Sequence, residues 1–421
     1  MLRSLALVVL LAFGFAQEIA VLTHSSFSLD KNLMAQFERE TGLKLRILKA
    51  GDAGETLNRA ILTKGAPIAD VIYGVDNTFL SRALQADILL PYRSPEIRNL
   101  RATLLLDPTF RALPVDYGWV SLNYDKAFFK DRPLPKTPQD LARPEYARLL
   151  VVENPATSSP GLAFLMATVA RFGEDGYLDF WAALRDGGVR VAKGWSEAYY
   201  THFSLYKGDR PLVVSYTTSP AAEVYYSEGK YKEPPTGNLL PELAFFQVEF
   251  VGILKGTKNL EGAKKVVDWL LSKPVQENLP TEMWMYPARR DARLPEVFRF
   301  APEPLGSVRM DQGHGGEPGA LDRGVDQGGP AGAEPRGGAA GEAVGWSGWR
   351  GGSSSFSWLR PLLPSSPHPL PGGGGGVSPG LGKPLLLGTV PLQPGVRVPF
   401  GPSHPGPGLA PGLSLPVAVP L

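Results

Sequence analysis

From Glu18 onward the sequence repeats a unit of apolar strand, polar loop and amphipathic helix, and this alternation constrains the fold most strongly. The first unit has a strand at Ile19–Leu22 and a helix at Asp30–Thr41, and two further units begin with strands at Leu43 and Asp70. Such alternation predicts a mostly parallel sheet with helices on its faces. Ligands of these sheets bind where the carboxyl ends of the strands meet the following loops.

A second set of strands begins near Pro114 and predicts a second lobe. Its apolar runs are Tyr117–Tyr124, Leu149–Glu153, Val189–Ala192 and Pro211–Tyr216. The later run Phe245–Leu254 is expected to return to the first lobe. We predict an α/β fold of two lobes with a hinged cleft, in which the chain crosses near Asp116 and Tyr216. The expected ranges are 17–113 with 222–304 for lobe 1 and 114–221 for lobe 2.

Residues Met1–Ala16 have the pattern of a cleavable secretory signal. Arg3 precedes the apolar run Leu5–Phe13, and Gly14-Phe15-Ala16 follows it as a small-x-small pattern. The run is too short to anchor the chain in a membrane. The chain has no Cys, hence no disulfide framework, thiol nucleophile or lipid-carrying Cys. We therefore expect cleavage near Ala16 and a monomer in the periplasm.

The composition changes abruptly after Leu305. Of the 48 Gly in the chain, 29 lie beyond this point, and five of them are consecutive at Gly372–Gly376. Pro recurs every few residues from Pro361 to the end, so neither helices nor strand ladders can persist. We predict a disordered tail over 305–421. It is either a genuine extension or the product of an out-of-frame reading of a GC-rich gene.

The turn Thr157–Gly161 follows a predicted strand and precedes a helical run. Ser159 fits the N-cap position of that helix and Pro160 its first turn. One interpretation is simply a well-formed helix start. The functional interpretation is an anion site, because hydroxyls and free backbone N–H groups at a positive helix end suit a phosphate.

Aromatic side chains lie at the other strand ends. Trp195 stands in the polar turn after one strand, Tyr216 ends another, and Trp284 follows later, while Asp76 adds a carboxylate in the first lobe. An isolated Trp of this kind belongs either to the core or to a binding surface. Aromatic faces attract cations by about 0.5–2 kcal/mol each. Together with the anion site, this set matches a flat cationic ligand that carries a phosphate.

Charge and motifs exclude several function classes. The 43 basic and 41 acidic residues leave a formal charge of +2, so no strong field favours nucleic acid or a membrane surface. The sequence contains no HExxH, GxSxG or Walker loop, and no paired carboxylates for acid–base catalysis are evident. We predict a binding protein without cofactor or metal, and not an enzyme.

Taken in order, these loops resemble those of the periplasmic thiamine-binding proteins of bacterial ABC importers. The matching segments are Ala69–Asn77, Asp116–Gly118, Thr157–Leu162, Lys193–Tyr199, Ser215–Ala221 and Pro280–Pro287. The similarity is collinear from about Glu18 to Phe298. It implies a type 2 periplasmic-binding fold that closes on thiamine or its mono- or diphosphate and delivers the ligand to a membrane permease subunit.

The resemblance also implies site residues. The rings expected to surround the thiazolium and pyrimidine are Trp195, Tyr216 and Trp284. The residues expected to hold phosphate are Ser158, Ser159 and Gly161. Asp76 would make a polar contact with a ring. His24 stands where a Tyr-Asp-Ser-Phe-like segment of the family begins, so it is the expected substitute for that Tyr.

Two alternatives remain at this point. A ferric-ion-binding periplasmic protein shares the fold class, and the pairs Tyr199-Tyr200 and Tyr225-Tyr226 are of the kind that binds iron when phenolates and a carboxylate converge. A thiamine-degrading transferase is similar in architecture. That class uses a Cys nucleophile, which this chain lacks.

Overall fold

The structure is a computed structural model that describes residues 17–309, so the predicted signal peptide lies outside the described residues. The strands in this range are β1 (Gln17–Thr23), β2 (Leu43–Lys49), β3 (Val71–Asp76), β4 (Leu89–Leu90), β5 (Leu113–Asp125), β6 (Leu150–Glu153), β7 (Arg190–Ala192), β8 (Leu212–Tyr216), β9 (Thr236–Leu239), β10 (Phe245–Leu254) and β11 (Tyr286–Pro287). The helices are α1 (Lys31–Thr41), α2 (Ala53–Leu62), α3 (Leu80–Gln85), α4 (Pro144–Ala147), α5 (Ser159–Asp186), α6 (Trp195–Glu197), α7 (Ser219–Tyr225), α8 (Leu260–Leu270) and α9 (Lys273–Glu282).

Local sequence signals explain where the first helices begin and end. Asp30 caps α1 by accepting from the backbone N–H of Asn32 at 2.6 Å, and Gly42 ends the helix in the left-handed region with φ 69°. Asp52 caps α2, and the Glu55 carboxylate accepts from the Asp52 N–H at 3.0 Å. These caps fix the loops that precede both helices.

The strands form one hydrogen-bonded sheet in the order β2-β1-β3-β10-β5-β8-β6-β7, with β4, β9 and β11 attached beside this path. Pairing is parallel within β2-β1-β3 and within β8-β6-β7, and antiparallel where β10 meets β3 and β5. The expectation of a mostly parallel sheet is therefore wrong: the sheet is mixed, because β4, β5, β8, β9, β10 and β11 also form antiparallel pairs. The long strands β5 and β10 run through both lobes and join them.

Strand β9 differs from the predicted boundaries. We assigned its range to lobe 1, but Thr236–Leu239 pairs antiparallel with Leu122–Asp125 of β5, in the second lobe. The apolar pattern of this four-residue strand is too short to show which lobe it joins, because only the long-range pairing decides that.

The first residues of the predicted tail also differ from expectation. Val308 forms a parallel bridge with Phe245, and the Trp119 indole N–H donates to the Ser307 hydroxyl at 3.1 Å. The range 305–309 is therefore part of the folded body, because it finds an unpaired stretch of β10 and a buried indole to bond. The remainder of the predicted tail, 310–421, lies outside the described residues.

Helices cover the sheet, and the largest buried cluster lies in the first lobe, where Ile19, Leu22 and Ile72 pack with Val266 and Leu270 of α8. Across residues 17–309, none of the helices is both long and apolar enough to cross a bilayer.

Candidate functional site

A cleft lies between the lobes and is lined by residues of both. Five of the residues predicted from the sequence line it: His24, Ser159, Trp195, Tyr216 and Trp284. Three are not among its lining residues: Ser158, Gly161 and Asp76. The lining residues that follow β1, β2, β6, β7 and β8 are all at carboxyl ends of strands, where parallel sheets collect their functional loops.

Trp195 belongs both to the core and to the cleft wall. Its indole is 4% exposed, stacks on Tyr199 with ring centroids 4.8 Å apart, and donates to the Ser215 hydroxyl at 2.8 Å. The Tyr216 ring is 6.4 Å away and tilted by 59°. Trp195 is therefore a core residue that also lines the cleft, and its orientation is fixed by the packing behind it. Its contact with a ligand stays a prediction.

Trp284 forms part of the opposite wall from a strained backbone. Its φ is 56°, in the left-handed region that non-glycine residues rarely adopt. The indole donates to the Tyr226 hydroxyl at 3.2 Å and stacks on Phe298 with an interplanar angle of 10°. Such strain persists where surrounding contacts hold a residue in place, and it is concentrated at functional sites.

The predicted start of α5 is shifted by one residue. α5 begins at Ser159 itself with Ser158 in the N-cap position, and α7 begins at Ser219 with Thr218 before it. Neither N-cap side chain accepts a capping hydrogen bond. The Ser219 hydroxyl instead lies 2.9 Å from that of Ser215. The hydroxyl of Ser158 is buried and has no hydrogen-bond partner among the described residues.

Gly161 serves the packing of α5 against β6. A Cβ at this position would lie 2.5 Å from the backbone carbonyl oxygen of Glu153, too close for any side chain. The Glu153 carboxyl is fully buried, and neither oxygen has a partner within residues 17–309. Burial and then the charge of Asp52 raise its pKa well above the usual range.

Asp76 is fully buried at the end of β3 and is bonded to its own loop. One carboxylate oxygen accepts from the backbone N–H of Thr78 at 3.1 Å and also from the Thr78 hydroxyl. Burial raises the pKa of Asp76 to about 7, against the lowering effect of the Thr78 hydrogen bond. Asp76 is not among the residues that line the cleft.

Glu249 is the most important lining residue that the sequence interpretation missed. In the sheet register it is paired with Asp76 of β3 on one side and Asp116 of β5 on the other. We call Asp76, Glu249 and Asp116 the carboxylate row. Glu249 is the member that reaches the cleft. A charged residue inside the apolar run Phe245–Leu254 was the available signal, since buried Glu is rare without a function or a partner.

Behind the row, the Tyr73 hydroxyl donates to the Asp116 carboxylate. Burial, followed by the charge of Glu249, raises the pKa of Asp116 well above its usual value.

His24 lies against the backbone of β3 beside Glu249. A Cβ at Gly74 would lie 2.1 Å from the imidazole Cδ2, so the absence of a side chain there makes room for the ring. The His24 Nε2 is 3.6 Å from a Glu249 carboxylate oxygen. Burial acts to lower the pKa of His24, but the nearby charges of Glu249 and Asp52 outweigh burial, so the pKa is raised.

Asp52 joins the two lobes across the cleft. Its Oδ1 accepts from the Ala53 N–H at the start of α2, and its Oδ2 accepts from the backbone N–H of Trp195 at 3.0 Å. The neighbouring Gly54 N–H donates to the Thr157 carbonyl oxygen at 2.9 Å. The lobes therefore touch directly, and the structure represents a closed conformation.

The ionisable groups in and around the cleft are mostly acidic. Burial raises the pKa of the Tyr216 phenol well above its usual value, and the charges of Glu249, Asp52, Asp76 and Glu153 raise it further. In the part of the chain that the structure describes, the lining contains no Lys or Arg side chain. The walls are aromatic and the ionisable groups mostly acidic, an arrangement that suits a cation.

Among residues 17–309, no three or more His, Cys, Asp or Glu side chains are grouped so that they could hold a metal ion.

The sequence profile of the bacterial extracellular solute-binding protein family matches residues 66–302. The chain is 30% identical to the thiamine-binding periplasmic protein of Salmonella typhimurium over 305 residues, which is 70% of this chain and 89% of that protein. A more distant relative, 26% identical, is the iron uptake protein A1 of Synechocystis sp., with 65% of this chain and 76% of that protein covered.

Among solved structures, a periplasmic thiamin binding protein superimposes with a TM-score of 0.61 at 27% identity and covers 70% of this chain and 89% of its own. The chain therefore belongs to the bacterial extracellular solute-binding protein family and has the fold of a type 2 periplasmic binding protein.

Proposed function

We propose that this protein captures thiamine or its phosphate esters in the cleft outside the cytoplasmic membrane and delivers them to the permease subunit of an ABC importer. We propose further that it acts as a monomer, without a cofactor and without catalysing a reaction. The observation that carries the proposal is the cleft lining: two indoles and a phenol beside the carboxylates of Asp52 and Glu249. The relatives named for thiamine binding are its independent support.

The chemistry of thiamine fits this lining. Its thiazolium carries a permanent positive charge, so attraction to an aromatic face needs no proton transfer. The rings of Trp195, Tyr216 and Trp284 supply such faces from three elements, and each contributes about 0.5–2 kcal/mol depending on desolvation. The lining carboxylates add attraction for the same charge over a longer range.

Phosphate esters require one further feature. The Ser159 hydroxyl lines the cleft at the first turn of α5, where backbone N–H groups and the helix dipole favour an anion. Ser158 lies behind that turn and is fully buried. We expect Ser159→Ala to weaken thiamine monophosphate more than thiamine, and Ser158→Ala to affect the two ligands equally.

Isothermal titration calorimetry with thiamine, its monophosphate and its diphosphate tests the proposal. Protein stripped of bound ligand should bind at least one of the three in a saturable manner with a stoichiometry of one. Native mass spectrometry of protein purified without stripping should reveal the co-purified form. If stripped, folded protein ignores all three compounds, the proposal is wrong.

The ferric-ion alternative is disfavoured by the surroundings of the tyrosine pairs. The Tyr199 hydroxyl donates to the Glu223 carboxylate, and the Tyr226 hydroxyl donates to the Thr281 carbonyl oxygen. Burial raises the pKa of Tyr199 well above its usual value and that of Tyr226 to about 12, which opposes the phenolates that iron requires. A tyrosinate-to-iron absorption band after addition of ferric citrate would support this alternative instead.

A further inference from the structure

The carboxylate row and His24 meet at the floor of the cleft, and no role has yet been derived for that contact. We propose that the Glu249 carboxylate is the counter-charge of the ligand's cationic ring and that protonated His24 competes with this ring for the carboxylate. Ligand binding and protonation of His24 then exclude each other. This assignment rests on the proposed function, because it requires a ligand with a permanent positive charge.

Position in the sheet distinguishes Glu249 from its two neighbours. All three carboxylates of the row lie in one register across β3, β10 and β5. Asp76 is bonded to Thr78. The Tyr73 hydroxyl donates to Asp116, and it also lies 3.5 Å from a Glu249 carboxylate oxygen. Asp76 and Asp116 are fully buried. Glu249 lies between them and is the member that lines the cleft.

An unpaired hydroxyl in the same cleft points independently to a ligand. Thr218 lines the cleft, is 1% exposed, and its hydroxyl oxygen has no hydrogen-bond partner among the described residues. Buried polar groups are nearly always bonded, so this hydroxyl is expected to bond to a molecule held between the lobes. The carboxylate of Glu249 therefore faces a site that another polar group also faces.

The pKa of His24 depends on the groups packed around its imidazole. A carboxylate oxygen of Glu249, in β10, lies 3.6 Å from the His24 Nε2, and the ring centroids of Tyr73, in β3, and His24 are 5.8 Å apart. Asp52, before α2, acts to raise the pKa of His24, and Lys49, at the end of β2, acts to lower it. The net effect is a raised pKa, which keeps the imidazolium populated closer to neutral pH.

The two cations compete for one carboxylate. With His24 protonated, Glu249 is already neutralised, and a thiazolium in the cleft would lie near a second positive charge. Binding therefore expels the proton: one N–H bond of the imidazolium breaks, the lone pair remains on nitrogen, and the proton passes to the buffer. By linkage, affinity falls as the pH drops through the raised pKa, by at most about tenfold per pH unit.

Calorimetry measures this proton directly. Thiamine is titrated at about pH 6.5 in two buffers of different ionisation enthalpy, and the difference in observed heat gives the protons released. Wild-type protein should release a fraction of one proton, and His24→Gln should release none. His202→Gln is the matched control, because His202 also pairs with a carboxylate, Glu197 at 3.5 Å, but does not line the cleft.

A neutral isostere tests Glu249. In 3-deazathiamine a carbon atom replaces the charged ring nitrogen, so the shape is kept and the charge removed. Glu249→Gln should weaken thiamine roughly 10- to 100-fold and leave the isostere nearly unchanged. Equal loss for both compounds, or proton release by wild type that persists in His24→Gln, would overturn the assignment. Wild type that binds neither compound would overturn the proposed function and this assignment together. Thiamine binding without proton release would overturn only the competition.

Discussion

The backbone N–H of Trp195 donates a 3.0 Å hydrogen bond to the Asp52 carboxylate, and this bond runs from one lobe to the other. The same carboxylate caps α2, so one side chain fixes a helix start in the first lobe and a turn in the second. Closure of the cleft therefore depends on Asp52 directly.

Replacement of Asp52 by Ala should favour the open conformation. The loss of a hydrogen bond to a charged acceptor costs about 1.5–3 kcal/mol, which shifts the equilibrium between open and closed lobes. Small-angle scattering should show a smaller radius of gyration for wild type saturated with thiamine than for free wild type, and a reduced change for Asp52→Ala. Asp52→Asn, which keeps an acceptor oxygen, should close more fully than Asp52→Ala. Identical scattering of wild type and Asp52→Ala with and without ligand would contradict this role.

Truncation of the cleft aromatics should weaken thiamine binding. Each of Trp195→Ala, Tyr216→Ala and Trp284→Ala is expected to cost roughly 1–3 kcal/mol from lost burial and cation–π attraction, or about 5- to 150-fold in affinity. Calorimetric titration measures the change, with circular dichroism to verify folding. Phe128→Ala removes a ring away from the cleft and should leave affinity unchanged. A folded Trp195→Ala with wild-type affinity would refute the aromatic site.

Asp76 should make stability depend on pH. Its pKa of about 7 in the folded protein exceeds the ordinary 3.8, so the folded state holds a proton that the unfolded chain releases. The protonated Asp76 carboxyl contributes its full stabilisation below about pH 4, and this contribution is lost as the pH rises towards 7. Asp76→Asn cannot ionise, so its free energy of unfolding, measured with urea, should rise relative to that of wild type between about pH 4.5 and 8. The rise should be at most about 1.4 kcal/mol for each unit by which folding raises the pKa of Asp76. Asp186→Asn, at an exposed position, should show no such trend.

The folded body should need residues up to Arg309. A chain ending at 304 loses the Val308 bridge to Phe245 and the Ser307 acceptor of Trp119, whereas a chain ending at 309 keeps both. We expect the shorter chain to melt about 2–4 °C lower and both to bind thiamine. Differential scanning calorimetry of the pair decides this. Equal melting temperatures would show that the segment contributes nothing.

The sequence predicted the strands and helices of the first lobe closely, because alternating apolar runs and cap residues such as Asp30 and Gly42 are local signals. It also indicated the aromatic residues of the cleft. Glu249 and Asp52 were missed because their roles arise from strand register and lobe contact, which pair residues far apart in the chain. Ser158 and Ser159 were both predicted as phosphate contacts, and of the two the structure has Ser159 in the cleft lining.

The continuous sheet has a consequence for how the protein unfolds. β5 and β10 pair with each other along most of their length, and each also pairs with strands that belong to a single lobe. Neither lobe can lose its share of these two strands without breaking hydrogen bonds of the other. The chain should therefore melt in one cooperative transition, and heat should not release one lobe while the other remains intact.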